Sequence, residues 1–468
     1  MILSAFSPHA LCLAMTLCPP VFAAPTVPRD ERPNIVLVYV DDLRADGLSA
    51  TGNPYIETPN IDRIAREGVL FTNSYVTTSL CCPGRTSVLT GKYAHKTGVT
   101  DNRPERDFLD SHRTVADLLG EAGYETAFIG KWHLPNPQAA PRRGFDHWVS
   151  FEGQGEYFDQ PLNVDGAQRT SRGFVTDVLT GYARRFIERE REDRPFLLVL
   201  SLKNCHSPHL PPARHRGRLD GMDMALPESF DEDPDSLPAS YRVARLNRRN
   251  RGAHPHPELY QITLRRYWEL VLSVDEAVGG LFAALERRGV ADETCMAFTS
   301  DNGYLLGEHG LIQKGFAYEP SIRVPLCVRY PARIAAGSVV DSVTLNVDLA
   351  PTFLELAGLA VGAGVQGRSL LATLDGSTSG RADFLYLAPW FLPDGTPREL
   401  ALGGGRYKYV RLRDAGLEER LFDLEADPGE RTDLSPDPAQ AEVLAASRAR
   451  MRVLMDELEM PAAWFESE

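Results

Sequence analysis

Four stretches of the sequence predict buried β-strands, and polar side chains follow directly after each of them. The stretches cover residues 34–40, 124–129, 195–202 and 294–300, and each is rich in apolar and β-branched residues, with 34–40 the most continuous run. Such runs are typical of strands that helices cover on both faces of a sheet. The polar residues that follow are Asp41, Asp42, Lys131, His133, Lys203, His206, Asp301 and Asn302. Because the functional sites of open α/β sheets form at the carboxyl ends of the strands, the sequence predicts an α/β fold with one site at that edge.

The acidic residues after the first and the last of these strands predict a metal site. Asp41, Asp42 and Asp301 supply three carboxylates, and Asn302 supplies an amide oxygen. Carboxylates gathered at buried strand ends need a counter-charge, and a divalent cation can supply it. Acids at the surface of a loop would be the plainer interpretation, but it fits a lone aspartate better than these two pairs. An all-oxygen set suits Ca²⁺, with Mg²⁺ as the alternative, and does not suit Zn²⁺.

Residues 80–92, LCCPGRTSVLTGK, predict a helix that begins just after Cys81. Pro83 suits the first helical position, because the N–H that proline lacks would be unpaired there anyway. The free N–H groups and the positive dipole end of a helix start attract anions. Arg85 lies one turn further on and can present its planar guanidinium to the same anion. The stretch therefore predicts a nucleophile at position 81 beside a pocket for an oxyanion; the alternative is a cysteine pair opening an ordinary helix.

This stretch resembles the signature of the type I sulfatases, in which C-x-P-x-R followed by L-T-G-K surrounds a cysteine that is oxidised to Cα-formylglycine. The resemblance extends over residues 32–435. It implies the alkaline-phosphatase-like α/β fold, with a large mixed sheet sandwiched by helices and a small C-terminal antiparallel sheet with a helix. It also implies hydrolysis of a sulfate monoester, a calcium ion that the residue-81 hydroxyl helps to bind, and a maturation enzyme that converts Cys81. A hydrated aldehyde carries two hydroxyls on one carbon, so one can attack sulfur and the other can expel sulfate afterwards.

Further site residues follow from the same resemblance. In the G-K-W-H motif at 130–133, Lys131 is expected to bind sulfate and His133 to act as the base on the formylglycine hydroxyl. Lys314 matches a second catalytic lysine. His206 matches the histidine of the family's P-H-x-P pattern and is expected to protonate the leaving alcohol, although Cys205 replaces the usual proline and His209 is a rival.

Two residues are candidate substrate contacts. Gln154 lies in a glycine-rich, aromatic stretch (144–157) that we expect to form a loop, and a surface turn is an equal alternative. His309 lies between two glycines, where turn chemistry is again an equal alternative. Residues 213–258 are polar and are expected to pass over the active-site face as a long excursion, because loops of this length are commonly functional. Within them, residues 226–230 resemble a segment of glucosamine-6-sulfatases and favour 6-O-sulfated N-acetylglucosamine as the substrate.

Two other functions compete with sulfated-carbohydrate hydrolysis. Relatives that carry the same cysteine motif hydrolyse phosphonate or phosphate monoesters, so this chemistry is the first alternative. A catalytically inactive protein that binds sulfated glycans is the second. It fits less well, because the cysteine, the lysines, the histidines and the four metal-ligand positions are all present.

Composition and the first residues bear on partners and location. The 468 residues carry a formal charge of −14, which argues against a nucleic-acid partner, because such proteins show clustered basic surface. Residues 1–23 predict a secretory signal peptide, with lipidation at Cys18 as the alternative, and hence an exported enzyme, periplasmic or secreted. The apolar run is too short for a transmembrane anchor.

The remaining pattern predicts two regions after that leader. We expect a catalytic domain over 30–375 and a C-terminal subdomain over 376–468. Helices are predicted at 59–68, 114–122, 176–189, 260–289, 348–356 and 438–459, and short C-terminal strands at 384–387, 407–411 and 419–424.

Overall fold

The computed structural model describes residue 28 and residues 31–104, 107–191, 194–250, 257–376, 378–388, 397–413 and 416–461. The predicted leader, with its cleavage site and Cys18, lies outside these residues. None of the described helices combines the length and the apolar character needed to cross a membrane.

A ten-stranded mixed sheet forms the centre of the molecule, and a four-stranded antiparallel sheet lies near the C-terminus. The strands are β1 Asn34–Val40, β2 Val69–Phe71, β3 Ser74–Tyr75, β4 Glu125–Lys131, β5 His147–Phe151, β6 Leu162–Val164, β7 Ala167–Arg169, β8 Phe196–Ser201, β9 Thr294–Ser300, β10 Leu305–Leu306, β11 Ile312–Gln313, β12 Leu326–Arg329, β13 Ser338–Val340, β14 Thr344–Leu345, β15 Phe384–Ala388, β16 Arg398–Gly403, β17 Tyr407–Arg413 and β18 Leu417–Asp423. The large sheet has the order β13-β2-β12-β9-β1-β8-β4-β5-β6-β7. Its middle strands, β9, β1, β8, β4 and β5, are parallel, and β12 joins them antiparallel to β9.

Helices cover both faces of this sheet. The helices are α1 Pro59–Arg66, α2 Cys81–Thr90, α3 Ala94–Thr97, α4 Val115–Glu121, α5 Val175–Glu188, α6 Ala239–Asn250, α7 Pro257–Arg288, α8 Glu319–Ile322, α9 Leu349–Leu356, α10 Leu371–Leu374 and α11 Ala441–Glu457. Alternate residues of β1 belong to different cores: Val36 and Val38 pack with α1, α5 and α7, whereas Ile35 and Leu37 pack with α2, α4 and α9. This two-sided burial is why β1 is apolar at every position after Asn34.

The small C-terminal sheet, β15-β16-β17-β18, also buries both faces. Leu385 and Leu387 pack under α11 with Met451. Phe384 and Tyr386 point the other way and pack against residues of the catalytic region such as Tyr75 and Phe316. The predicted fold, a large mixed α/β sheet with a C-terminal antiparallel sheet and helix, is confirmed, whereas the domain boundaries stay predictions.

Three local expectations were wrong. Helix α2 begins at Cys81 with Leu80 as its N-cap, because Gly84 N–H already bonds to Leu80 O (2.9 Å) and draws both cysteines into the first turn. The glycine-rich stretch 144–157 contains strand β5, whose pairing with β4 overrides its weak local preference. The excursion 213–258 is not purely a loop, since it contains α6.

Candidate active site

The predicted metal ligands meet at the ends of two neighbouring strands. Strands β1 and β9 are parallel with Val40 opposite Ser300, so the residues that follow each strand emerge side by side. Carboxylate oxygens of Asp41, Asp42 and Asp301 lie within 4.8 Å of one another, and all three side chains are buried. Asn302 Nδ2 donates to Asp42 Oδ1 at 2.6 Å. The structure therefore brings the four residues into one cluster.

This cluster fits a divalent cation. Within the described part of the chain, neither Asp42 Oδ2 nor Asn302 Oδ1 has a hydrogen-bond partner, although both are buried. Burial and the neighbouring Asp41 carboxylate raise the pKa of Asp301 to about 7. A cation site made of oxygens needs the cation to offset its negative charge. Without that charge, its buried oxygens lack partners and one of its carboxyls has a raised pKa, as observed here.

Helix α2 presents Cys81 and Arg85 to the cluster. Cys81 Sγ lies 3.6 Å from Asp41 Oδ1, and burial raises the pKa of its thiol to about 12. Arg85 donates to Asp301 Oδ2 and to Ser201 Oγ, both at 2.7 Å. The close approach of the helix requires Gly84, because a Cβ there would lie 2.5 Å from Asp301 O. Arg85 thus holds the carboxylate cluster, instead of pointing freely at an anion.

Lys131, the last residue of β4, lies between the cluster and the β5–β6 loop. Its ammonium forms an ion pair with Asp41 and a hydrogen bond with Gln154 Oε1, and it lies 3.9 Å from Cys81 Sγ. Although burial opposes the shift, Lys131 holds the pKa of Asp41 well below its usual range. Gln154 therefore contacts Lys131 directly, and its assignment as a substrate contact stays a prediction.

Both predicted histidines lie near position 81. Cys82 Sγ lies 3.0 Å from His133 O and 3.8 Å from its Nδ1, and burial together with Lys131 holds the pKa of His133 well below its usual value. His206 Nδ1 donates to Ser207 O at 2.7 Å, which leaves Nε2 3.9 Å from Asp42 Oδ2. The rival, His209, instead bonds to Cys205 O at 2.9 Å and packs its ring edge-on against Tyr267 and Tyr304.

Lys314 reaches the cluster, whereas His309 contacts other residues. Lys314 Nζ forms an ion pair with Asp42, which raises the pKa of this lysine well above its usual value although burial opposes it. His309 is 2 % exposed, stacks on Tyr318 with ring centroids 3.9 Å apart, and bonds through Nδ1 to Glu232 at 2.6 Å. Because its ring and its Nδ1 already contact Tyr318 and Glu232, a structural role fits His309 better than the predicted substrate contact.

Sequence reasoning missed Ser201 and Tyr157 and assigned no role to Lys203, although all three hold the site together. Ser201 bonds to Arg85, Tyr157 O–H donates to His206 O at 2.6 Å, and Lys203 Nζ donates to Gln154 O at 3.1 Å while lying 4.9 Å from the centre of the Tyr157 ring. Lys203 and Ser201 could have been found from their place at the end of β8. Nothing in the local sequence marks Tyr157.

A mixed α/β sheet, an oxygen-lined cation site and a nucleophile position flanked by an arginine and two lysines define a metal-dependent hydrolase of oxyanion esters. A model of the sulfatase family matches residues 33–359, and a model of the C-terminal region of N-sulphoglucosamine sulphohydrolase matches residues 307–457. The N-acetylglucosamine-6-O-sulfatase of Bacteroides thetaiotaomicron is 32 % identical over 476 residues, which cover 88 % of this chain and 84 % of that protein.

Solved structures agree with this assignment. A protein in complex with its substrate, D-glucosamine-2-N,6-O-disulfate, superposes with a TM-score of 0.84 at 29 % identity, over 93 % of this chain and 100 % of that one. The phosphonate monoester hydrolase of Agrobacterium radiobacter, with a TM-score of 0.77 at 22 % identity over 91 % and 96 % of the two chains, shares the fold alone.

The chain therefore belongs to the sulfatase family, and the predicted activity, hydrolysis of sulfuric esters, is confirmed. Membership of this family implies a formylglycine and a divalent metal. In the unmodified chain described above, Cys81 Sγ stands in for the oxygen that formylglycine carries.

Proposed function

We propose that this sulfatase removes 6-O-sulfate from N-acetylglucosamine at the end of a sulfated glycan, with a formylglycine made from Cys81 and a Ca²⁺ ion. The observation that carries the substrate assignment is the similarity, over 88 % of the chain, to a protein named N-acetylglucosamine-6-O-sulfatase. The substrate of the superposed complex, a glucosamine sulfated at N2 and O6, supports the same sugar.

Calcium is favoured over magnesium by the donor set. Asp41, Asp42, Asp301 and Asn302 offer four protein oxygen ligands from fully buried side chains. Ca²⁺ accepts six to eight oxygens in flexible geometry, whereas Mg²⁺ usually keeps several waters and binds through one or two carboxylates. A dication held by these residues would neutralise the carboxylates and polarise the sulfate oxygens.

The cationic side chains then bind sulfate. With Asp41 and Asp42 neutralised, Lys131 and Lys314 can donate to the sulfate oxygens, and Gln154 keeps Lys131 directed at position 81. Formylglycine at that position would supply a hydrated aldehyde, with one hydroxyl to attack sulfur and a second to release sulfate.

The two histidines have different surroundings that suit different roles. Burial and nearby lysines hold the pKa of both histidines below its usual value, so their hydrogen bonds, not their charge, distinguish them; neutral His133 is in the state that a base requires. His206 carries its fixed proton on Nδ1, bonded to Ser207 O, so Nε2 is the atom that can take up a proton and deliver it to the leaving alcohol. We therefore assign the base to His133 and the acid to His206.

Export and maturation complete the proposal. The segment 1–23 supports transport across a membrane to the periplasm or the exterior, where sulfated glycans are found. The signature around Cys81 supports conversion by a formylglycine-generating enzyme before or during this transport.

The test is a substrate panel with the enzyme purified from a host that contains the maturation enzyme. The panel comprises 6-O-, 3-O-, 2-O- and N-sulfated glucosamine saccharides, an aryl sulfate and a phenyl phosphonate. We expect the largest kcat/KM for the 6-O-sulfated sugar, because unpaired buried polar groups penalise the wrong regioisomer. A larger kcat/KM for the aryl ester or the phosphonate than for every sugar would refute the carbohydrate assignment.

A further inference from the structure

The C-terminal sheet contributes two buried charges that face the catalytic region. Glu399 in β16 and Lys408 in β17 are both 0 % exposed. A charge removed from water is costly unless it is paired or hydrogen-bonded. Both side chains have partners just beyond Lys314, in residues 314–322, which we name the Lys314 segment.

Glu399 and Lys408 hold the same residue of this segment from opposite sides. Ala317 N–H donates to Glu399 Oε2 at 2.7 Å, and Lys408 Nζ donates to Ala317 O at 2.7 Å. Both are charge-assisted hydrogen bonds, which are shorter and about twice as strong as neutral ones. The backbone on either side of Ala317 is thereby fixed to the C-terminal sheet.

Neighbouring contacts extend this attachment. Glu319 N–H donates to Glu430 at 2.7 Å, and Lys408 forms ion pairs with Glu319 at 3.0 Å and with Glu430 at 2.5 Å. Arg420 donates to the Tyr318 hydroxyl at 2.9 Å. Three consecutive residues of the Lys314 segment are therefore bound by charged side chains of the C-terminal region.

The other end of the Lys314 segment reaches the active site. Lys314 itself forms an ion pair with Asp42. Ser321 O accepts hydrogen bonds from Gly303 N–H at 2.9 Å and from Ser79 Oγ at 2.7 Å. Gly303 follows Asn302, and Ser79 lies two residues before Cys81, so the segment connects the C-terminal sheet to the cation site and to the nucleophile helix.

We propose that Glu399 and Lys408 are positioning residues, which keep the Lys314 ammonium at the sulfate site by fixing the Ala317 backbone. The inference rests on the sulfate-binding role proposed for Lys314. A displacement of about 1 Å of a group at the reacting centre lowers the rate by up to about a hundredfold, so loss of the Ala317 contact is expected to appear in catalysis as well as in stability.

Three variants distinguish a loss of Lys314 positioning from a loss of folding stability. Glu399→Met removes the acceptor for Ala317 N–H, and we expect kcat/KM to fall at least about tenfold. Glu399→Gln should keep kcat/KM within about twofold, because its amide oxygen can accept from Ala317 while its NH₂ donates to the Tyr241 hydroxyl, the group that donates to Glu399 at 2.8 Å in the native chain. The control is Met451→Ala, which removes a side chain from the apolar core under α11, a core distinct from the one that contains Phe316 and Tyr318; it should lower the Tm and leave kcat/KM unchanged.

A double substitution completes the test. If Glu399 acts through Lys314, Glu399→Met should cause no further loss of kcat/KM in a Lys314→Met background. Additive losses, or a Glu399→Met enzyme as active as Met451→Ala, would overturn the inference. Should Glu399→Met fail to fold, Glu399→Asp keeps the charge but shortens its reach, and unchanged kcat/KM in that variant would equally overturn it. A Lys314→Met enzyme with full activity would instead refute the proposed role of Lys314.

Discussion

Lys203 and Lys408 are both buried, yet the two regions that contain them treat the charge in opposite ways. Lys203, at the active site, donates to one backbone carbonyl, and burial lowers its pKa to about 8. Lys408, in the C-terminal sheet, lies between Glu319 and Glu430, which raise its pKa although burial opposes the shift. Lys203 therefore bonds to a neutral carbonyl, whereas Lys408 is paired with two carboxylates.

Buried carboxylate and amide groups of the two regions differ in the same way. In the described residues, Asp42 Oδ2 and Asn302 Oδ1 are buried without a hydrogen-bond partner, whereas Glu399 accepts hydrogen bonds on both oxygens. Unpaired buried groups cost stability, and at this site a bound cation would satisfy both oxygens. The comparison therefore predicts that substitutions at the site cost activity, and that substitutions in the outer layers of the C-terminal region cost stability alone.

The largest effect is expected at position 81. Cys81→Ala should abolish turnover, because no aldehyde can form, whereas Cys82→Ala should spare most of it, because Cys82 lacks the spacing to Pro83 and Arg85. Mass spectrometry of the tryptic peptide from the native host should show a loss of about 18 Da at Cys81, the difference between thiol and aldehyde. Full activity of Cys81→Ala would contradict the mechanism.

The next largest effect is expected when a carboxylate is removed from the cation site, with removal of a carboxylate from the C-terminal sheet as the control. Asp301→Ala is expected to lose the bound metal and the activity, because Asp301 is a predicted ligand and the partner of Arg85. Asp423→Ala removes a carboxylate that pairs with Arg406 in the C-terminal sheet, and it should retain both. Elemental analysis measures the bound metal and kcat measures the activity of both variants. Stoichiometric zinc in the native enzyme, with no calcium or magnesium, would exclude the proposed cation.

A smaller effect is expected from the contact between Gln154 and Lys131. Gln154→Ala should lower kcat/KM about ten- to a hundredfold, since a hydrogen bond to a charged group contributes about 1.5–3 kcal/mol and about 1.4 kcal/mol is a factor of ten. Gln168→Ala is the matched control, because this glutamine is exposed and bonds only to Gln138 O among the contacts observed. Equal kinetics for the two variants would show that Gln154 neither positions Lys131 nor contacts the substrate.

The smallest effect is a pH dependence of stability that distinguishes the two lysines. Above pH 8 the folded protein releases the Lys203 proton while the unfolded chain keeps its own, so stability rises with pH between about 8 and the ordinary lysine pKa of about 10.4. The pKa of Lys408 is raised, so its contribution stays constant below the ordinary lysine pKa of about 10.4. Thermal unfolding from pH 7 to 9.5 should show the wild type gaining Tm relative to Lys203→Met, and keeping a constant difference from Lys408→Met. If the Tm difference from the wild type stays constant with pH for both variants, the predicted difference between Lys203 and Lys408 is wrong.

The parts that sequence predicted well are those with local signatures. The strand ends that carry Asp41, Asp42, Asp301 and Asn302 were recognisable, because apolar runs give the strands and a parallel sheet places their ends together. Strand β5 and helix α6 were missed, because pairing with β4 and packing against neighbouring segments outweigh their own composition. His309 was recognised as unusual, but its glycine neighbours gave no sign that Tyr318 and Glu232 enclose it.

The sequence by itself determined the layered α/β architecture and predicted the nucleophile position and an oxygen-only cation site, since all three inferences depend on residue types at short, fixed spacings. Only the tertiary structure decided which buried groups are paired and which stay available to a ligand. Asn302 and Asp42 are 260 residues apart in the chain, and Lys408 and Ala317 are 91 apart. A hydrogen bond requires a distance and a direction, and across such separations these are set by how the sheets and helices pack together.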